Sequence, residues 1–198
     1  MSDDIRRWIP QYTTETSNGV HGVELQTSHF DDRRLFITGE VTDQMSIDFV
    51  SEILYLAKKD KPVTMYINSP GGSVNAGLVI YDAIQKAPFP IDMYCIGMAA
   101  SMGAIILAGG QKGRRFILPH SKVMIHEPLI AGGMGGSATS IKKTADSILE
   151  TKKITNTILA KHTGKSFKEI DKATSFDNFM NAEEAVKFGI CDEIRDLF

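Results

Sequence analysis

A chain of 198 residues, 42% of them hydrophobic, carries enough apolar surface for one sizeable core and is marginal for two. Its 22 basic and 24 acidic residues nearly cancel, so no global field draws it to nucleic acid or to an anionic membrane. The longest apolar run is far short of the roughly 20 residues that cross a bilayer, the first residues have no apolar stretch with a small-residue cleavage site, and Arg6-Arg7 lack the hydrophobic run of a twin-arginine signal; a soluble, cytoplasmic protein is expected.

Residues 1–32 are polar and turn-rich, and Asn18-Gly19 and Gly22 break any periodicity, so this region reads as an arm or loop with a short lead-in. From "RRLFITGEV" onward strands and helices alternate. The pattern predicts a strand near Leu35–Thr38, a helix over 43–59 with Met45, Phe49, Ile53, Leu56 and Ala57 apolar, and a strand "VTMYINS". A helix beginning near Ser73 carries Leu78, Ile80, Tyr81 and Ile84 and is closed by "APFP", whose prolines cannot continue it. The strand "IDMYCIG", a helix opened by Ser101, and the strands "RRFILP" and "KVMIHEP" follow. Such alternation implies βαβ crossovers and a largely parallel sheet covered by helices, an α/β fold. Cys95 and Cys191 sit in apolar strand-like contexts and read as buried free thiols, which suits a reducing compartment.

After "GGMGG" a periodic segment runs from about Ser137 to His162, with Ile141, Ala145, Ile148, Leu149, Ile154, Ile158 and Leu159 apolar and Gly164 as C-cap. At 1.5 Å per residue it spans roughly 40 Å, more than a domain of this size needs to cover its own sheet. Periodicity leaves two readings open: a helix that projects and packs against another subunit, or a core helix with a bend.

Three groups of residues suggest chemistry. Ser101, in "GMAASMGAIILAGG", stands where a strand gives way to a helix. A serine there caps a helix by default. However, Ala99, Ala100 and Gly103 leave open space around it, and the helix start presents unpaired N–H groups to developing negative charge, the logic of a nucleophile elbow without the G-x-S-x-G sequence. In "INSPGGSV" the turn Pro70-Gly71-Gly72 lets the main chain approach a ligand, so the Gly72 and Met102 amides could form an oxyanion pair. The default is a flexible turn, and neither this turn nor "AGGQKGRR" has phosphate-loop spacing.

Of the five histidines, His21 and His29 lie in the irregular N-terminal region, His120 in a turn, and His162 at a helix end where the dipole favours a cation. His126 ends a strand immediately before Pro-containing "EPL", where a side chain can point into a cleft and serve as a base. Metal binding is disfavoured, since there is no H-E-x-x-H or C-x-x-C. Spacing does not choose the carboxylate among Asp171, Asp177, Glu183 and Glu184, although Asp177, between Phe176 and Phe179, is the one expected in a partly apolar setting.

Taken together, "YINSPGGSVNAGLVIYDAIQ", "GMAASMGAIILAGGQKGRRFILPHSKVMIHEPL" and "LAKHTGKSFKEIDKATSFDNFMNAEEAVKFGICDEI" resemble the ClpP family, the proteolytic subunits of Clp proteases, from about Leu35 to Ile194. The resemblance implies a crotonase-like α/β fold of repeated β-β-α and βαβ units. It divides the single domain into an N-terminal arm (1–32), a head (33–130 and 165–198) and a handle region (131–164). It makes Ser101 the nucleophile, His126 the general base, Asp177 its orienting carboxylate, and the Gly72 and Met102 amides the oxyanion hole. Gly71, Ser73, Val74, Leu129 and Ile130 would contact a peptide laid along a strand edge, and Tyr66 would belong to an unfoldase-docking pocket. The implied assembly is two stacked heptameric rings fed by a hexameric AAA+ unfoldase that uses the ATP. Unfolded polypeptides would be the substrates, and no metal or organic cofactor is needed.

Four features depart from that family's usual pattern: Glu127 where glutamine is common, Asn178 where arginine is usual, a loop "LIAGGMGGSAT" about two residues longer, and "GVELQTSHFDD" in place of a tyrosine-containing segment. These leave open a paralogue active mainly with a different partner subunit. The crotonase architecture also admits an acyl-CoA hydratase or isomerase, although such enzymes generally place carboxylates at the reacting centre.

Overall fold

The computed structural model describes residues 11–17, 19–130 and 135–197; Arg6-Arg7 and the centre of the loop after Ile130 lie outside them. The region expected as an arm contains more structure than its sequence suggested. Strands β1 (Gln11–Thr16) and β2 (Gly19–Glu24) pair antiparallel as a hairpin, and α1 (Leu25–Asp31) follows. No residue of β2 is buried, so no apolar alternation marks it. The strand preference of "QYTTET" comes from its threonines and tyrosine.

From here the hydrophobic pattern dictates the elements. β3 (Arg34–Val41) buries Leu35, Ile37 and Val41 on one face. α2 (Asp43–Leu56) is capped by the Thr42 hydroxyl, which accepts from the Met45 amide, and buries Phe49, Ile53 and Leu56. β4 (Val63–Gly72) alternates along its whole length and runs through Ser69-Pro70-Gly71-Gly72, beyond the expected end at Ser69. Ser73 caps α3 (Val74–Lys86), which buries Ile80, Tyr81 and Ile84 and stops before Pro88 and Pro90 removed from helical use. β5 (Ile91–Ala100) leads into α4 (Met102–Ala108), whose seven residues are all buried, which is why that stretch is apolar all round.

The remaining elements are β6 (Arg115–Ile117), β7 (Lys122–Ile125), α5 (Ala138–Thr163), α6 (Phe167–Ala173), β8 (Asn178–Met180), α7 (Ala182–Phe188) and β9 (Glu193–Ile194). Strands run β3-β4-β5-β6-β9, all parallel. β5 is long enough to hold β6 along Met93–Cys95 and β7 along Met98–Ala100, and β8 joins β7 antiparallel. The structure is thus α/β with a mostly parallel seven-stranded sheet. Cys95 and Cys191 are buried free thiols, and burial pushes the Cys95 thiol up to about 12.

Helix α5, capped by Ser137 and ended by Gly164 in the left-handed conformation, has 26 residues, about 39 Å. Its buried residues are Thr155, Asn156 and Leu159, all in its second half. Ile141 and Leu149 are exposed. The first half of α5 thus buries no residue within this chain.

A buried ion pair closes the sheet's far end. The Arg115 side chain is 1% exposed. Its Nε and Nη2 donate to the two Asp192 oxygens at 2.9 and 2.6 Å, and Nη1 donates to the carbonyls of Ala108 and His162. Asp192 also accepts from the Gly113 amide and from Lys112. Burial opposes ionisation of Asp192, but the Arg115 and Lys112 bonds outweigh it and hold the carboxyl well below the usual carboxylate range. One side chain therefore ties β6, α4, the end of α5 and the segment entering β9.

His162 departs from the cation expected at a helix end. Burial, with the Lys161 and Arg115 charges, lowers it to about 4, and its Nε2 hydrogen-bonds the Tyr81 hydroxyl at 2.9 Å. Desolvation and neighbouring cations outweigh the dipole.

Asp192→Ala strands the Arg115 guanidinium in the core and is expected to cost about 3–5 kcal/mol, read by urea unfolding. The pH dependence separates two groups. His162 has a folded value below its ordinary 6.5, so its contribution is complete above about 6.5 and is lost as pH falls toward about 4. Asp192 contributes above the ordinary carboxylate value, and that contribution is lost only at more acid pH. In unfolding titrations, His162→Asn is expected to flatten the first limb and leave the second.

Candidate active site

The site is assembled by strand register. In the parallel pair β5/β7, Ala100 lies opposite Met124, and the Ser101 amide donates to the Met124 carbonyl at 2.8 Å. The residues that follow each strand, Ser101 and His126, therefore emerge at the same sheet end. In the antiparallel pair β7/β8, Ile125 lies opposite Asn178, so His126 and Asp177 continue the ladder as neighbours. Side-chain geometry completes the chain: His126 Nε2 is 2.9 Å from Ser101 Oγ, and Nδ1 is 3.0 Å from Asp177 Oδ1.

Ser101 does not cap α4 with its hydroxyl, contrary to the default for a serine at that place. Its backbone has φ 53° and ψ −120°, a conformation that costs a non-glycine residue on the order of 1–3 kcal/mol. The hydroxyl is aimed at the imidazole instead. Strain in this position belongs to sharp strand-to-helix turns that present a reactive side chain.

The glycine turn at the end of β4 lies against it. A Cβ on Gly71, which has φ 95°, would stand 2.6 Å from Ser101 Cβ, 2.8 Å from the Ala100 carbonyl oxygen and 3.0 Å from the Met102 nitrogen. At Gly72 a Cβ would run into the Val41 main chain. Buried Ser69 holds the turn, its hydroxyl donating to the Gly39 carbonyl at 2.6 Å and accepting from the Gly71 amide at 3.1 Å. Met102 is the first residue of α4, where an N–H has no acceptor within the helix. Two glycines here are a packing requirement, not slack.

A cleft of about 460 Å³ opens beside the imidazole, lined by His126, Glu127, Leu129, Thr174, Phe176 and Asp177. Leu129 and Ile130 lie beyond β7, outside any strand, and are exposed. Ser73 is engaged as the cap of α3, and its amide donates to the Val41 carbonyl. Tyr66 stands in a row of rings across the sheet, 5.1 Å from Phe36 and 5.7 Å from Tyr94, with Tyr94 4.9 Å from Phe116.

A family model for Clp protease matches residues 17–197. The chain belongs to the Clp protease family. It is a peptidase of the ClpP type, and its mixed α/β architecture is the ClpP fold. Membership carries with it, in general terms, self-association and association with Clp ATPases. No helix among the described residues is long and apolar enough to cross a membrane.

The other candidates separate cleanly. Asp171 faces Lys152, and Glu184 closes a capping box with Asn181 at the start of α7. Glu183 is solvent-exposed. Asp177 is beside His126, though not for the reason expected: its side chain is 61% exposed, and Phe176 and Phe179 face solvent instead of enclosing it. His29 lies tilted against the Phe36 ring at 5.4 Å, and His21 and His120 are exposed. Of the departures from the Clp pattern, Asn178 donates to the Ala173 carbonyl within its own chain, and Glu127 is paired by Lys152 at 2.8 Å. Lys152 carried no signal on its own; its spacing of four from Asn156 on one helix face was the available clue.

Gly71→Ala forces a methyl against Ser101 and the following amide. Peptide turnover is expected to fall by about 10²-fold or more, in a steady-state assay, with the fold retained by circular dichroism.

Proposed function

We propose that this chain is a serine endopeptidase subunit that cuts unfolded polypeptides to short peptides. The observation that carries the reading is the single imidazole bonded on one side to a strained serine hydroxyl and on the other to a carboxylate. With the imidazole proton on Nδ1, the Asp177 carboxylate accepts a hydrogen bond from that N–H and fixes the ring, leaving Nε2 to accept from the Ser101 hydroxyl. Ser101 Oγ attacks the peptide carbonyl as His126 takes its proton. His126 then returns that proton to the departing amine, and water releases the acyl-enzyme by the same route.

The amides of Gly72 and Met102 are assigned to the oxyanion, because one follows the turn packed against Ser101 and the other opens α4. Leu129 and Ile130 form the edge on which a peptide adds as a strand, with Gly71, Ser73 and Val74 on the opposite wall. The chemistry requires no metal or organic cofactor. The paired amides would also suit a thioester, but a Ser-His pair at the reacting centre favours acyl transfer to serine over acyl-CoA isomerisation.

The particle is two heptameric rings stacked around a chamber, with projecting α5 as the ring-to-ring handle. A hexameric AAA+ unfoldase supplies substrate and uses the ATP, docking near Tyr66 and its aromatic row. The setting is the cytoplasm. The hydrogen-bonded chain is complete within one polypeptide, which supports a subunit active in rings of its own over one ordered by a paralogue.

Ser101→Ala is expected to abolish fluorophosphonate labelling and to lower hydrolysis of a fluorogenic peptide by at least about 10³-fold. Labelling elsewhere, or full hydrolysis by the variant, overturns the reading; binding of acyl-CoA without labelling would support the thioester enzyme.

A further inference from the structure

Beyond the Ser101–His126–Asp177 chain, one set of contacts joins the segments that carry it. Glu127 is the residue after His126. Its amide donates to the Thr174 carbonyl at 2.8 Å, and its carboxylate meets Lys152 Nζ at 2.8 Å. The same ammonium is 2.9 Å from Asp171 of α6. Asp171 also accepts from Asn156 Nδ2 at 3.2 Å, and Asn156 Oδ1 accepts from the Thr174 hydroxyl at 3.2 Å. These bonds form a closed loop through three elements: the end of β7, one face of α5, and the C-terminal turn of α6 that leads to Asp177. Lys152 and Asn156, four residues apart on α5, supply all of the helix's part.

We propose that Lys152 is a positioning residue for peptide hydrolysis: its ammonium clamps the segment carrying His126 to the segment leading into Asp177, and so sets the imidazole–carboxylate geometry. Three observations favour this over a decorative surface pair. The ammonium is shared between two carboxylates from different elements, so it cannot be lost without leaving two anions facing each other. The Lys152 side chain is only 23% exposed, in contrast to Lys142, Lys143, Lys153 and Lys161 of the same helix, which are exposed. The hydrogen bonds it donates to Glu127 and then Asp171 raise its proton affinity above the usual lysine range, so the clamp stays charged.

The exposed position of Asp177 makes such a clamp necessary. With a 61% exposed side chain, that carboxylate has no close packing of its own to hold it. Its placement rests on three-residue β8 and on the turn from α6. A catalytic constellation must be held within about 0.5 Å of its productive geometry, and supporting bonds of this kind do so.

The inference rests on the serine-peptidase reading above, so Ser101→Ala is measured alongside. Lys152→Gln is compared with Lys152→Arg, Glu127→Gln and the double variant Lys152→Gln/Glu127→Gln, as assembled particles acting on one fluorogenic peptide. Lys152→Gln is expected to lower kcat by about 10-fold or more with KM changed less than about 2-fold, since misplacement of a reacting group acts on turnover. Its thermal unfolding midpoint and sedimentation are expected to match the parent. Lys152→Arg restores most of the turnover. Glu127→Gln costs less than Lys152→Gln, and adding it to Lys152→Gln recovers part of the loss, because one of the two stranded anions is removed. Parent-like turnover in Lys152→Gln overturns the proposal. So does a loss that Lys152→Arg fails to rescue, or one that only tracks reduced stability or assembly. If Ser101→Ala stays active the peptidase reading fails first; if it is dead while Lys152→Gln turns over normally, only the clamp fails.

Discussion

The site depends on the register of one four-residue strand. β7 is held parallel by β5 and antiparallel by β8, and those two pairings bring together residues that the chain keeps far apart. A slip of one residue in either ladder would turn every side chain to the opposite face, so the geometry is all or nothing. Val123, Met124 and Ile125 are all buried, so β7 is packed on both faces and a slip would force each of them into packing shaped for another side chain. The apolar core thus specifies the polar constellation at its end.

Around that register the fold accepts local cost where chemistry needs it. Ser101 adopts a backbone conformation unfavourable for a side chain, Gly71 forgoes a side chain so that β4 can close on it, and Gly72 forgoes one against the Val41 main chain. Elsewhere the packing is conservative, with the Arg115–Asp192 pair satisfying its buried charges at several carbonyls and amides. Among the described residues no buried side-chain nitrogen or oxygen lacks a hydrogen-bond partner. Besides Ser101, Arg33 with φ 60° is the other non-glycine residue at positive φ among the described residues.

What could be read in advance followed the strength of local patterning. α2, α3 and α5 carry apolar residues at helical spacing and capping side chains at their starts, and they appear within a few residues of their expected bounds. β4 and β5 alternate and were legible, although both run on into the turns. The hairpin β1–β2 was not, since β2 buries no residue on either face and so leaves no apolar trace. β8 and β9, three and two residues long, are too short for any period to register. Ser101 and His126 stood out as residues at strand ends. Asp177 was favoured for an apolar enclosure that does not exist; what places it is an antiparallel pairing no local pattern reveals. His162 shows the same limit in reverse, where a helix-end rule gave way to burial and to the charges of Lys161 and distant Arg115.

The chain order of the three site residues has a consequence for the protein's own synthesis. His126 follows Ser101 by 25 residues, and Asp177 follows His126 by 51. At translation speeds of roughly 5–20 residues per second, the serine leaves the ribosome several seconds before its carboxylate partner exists. β8 follows β5 and β7 in the chain, so its antiparallel pairing waits for the last of the three to be made. Until then the chain of hydrogen bonds from hydroxyl through imidazole to carboxylate has no end, so this geometry belongs to the finished polypeptide alone.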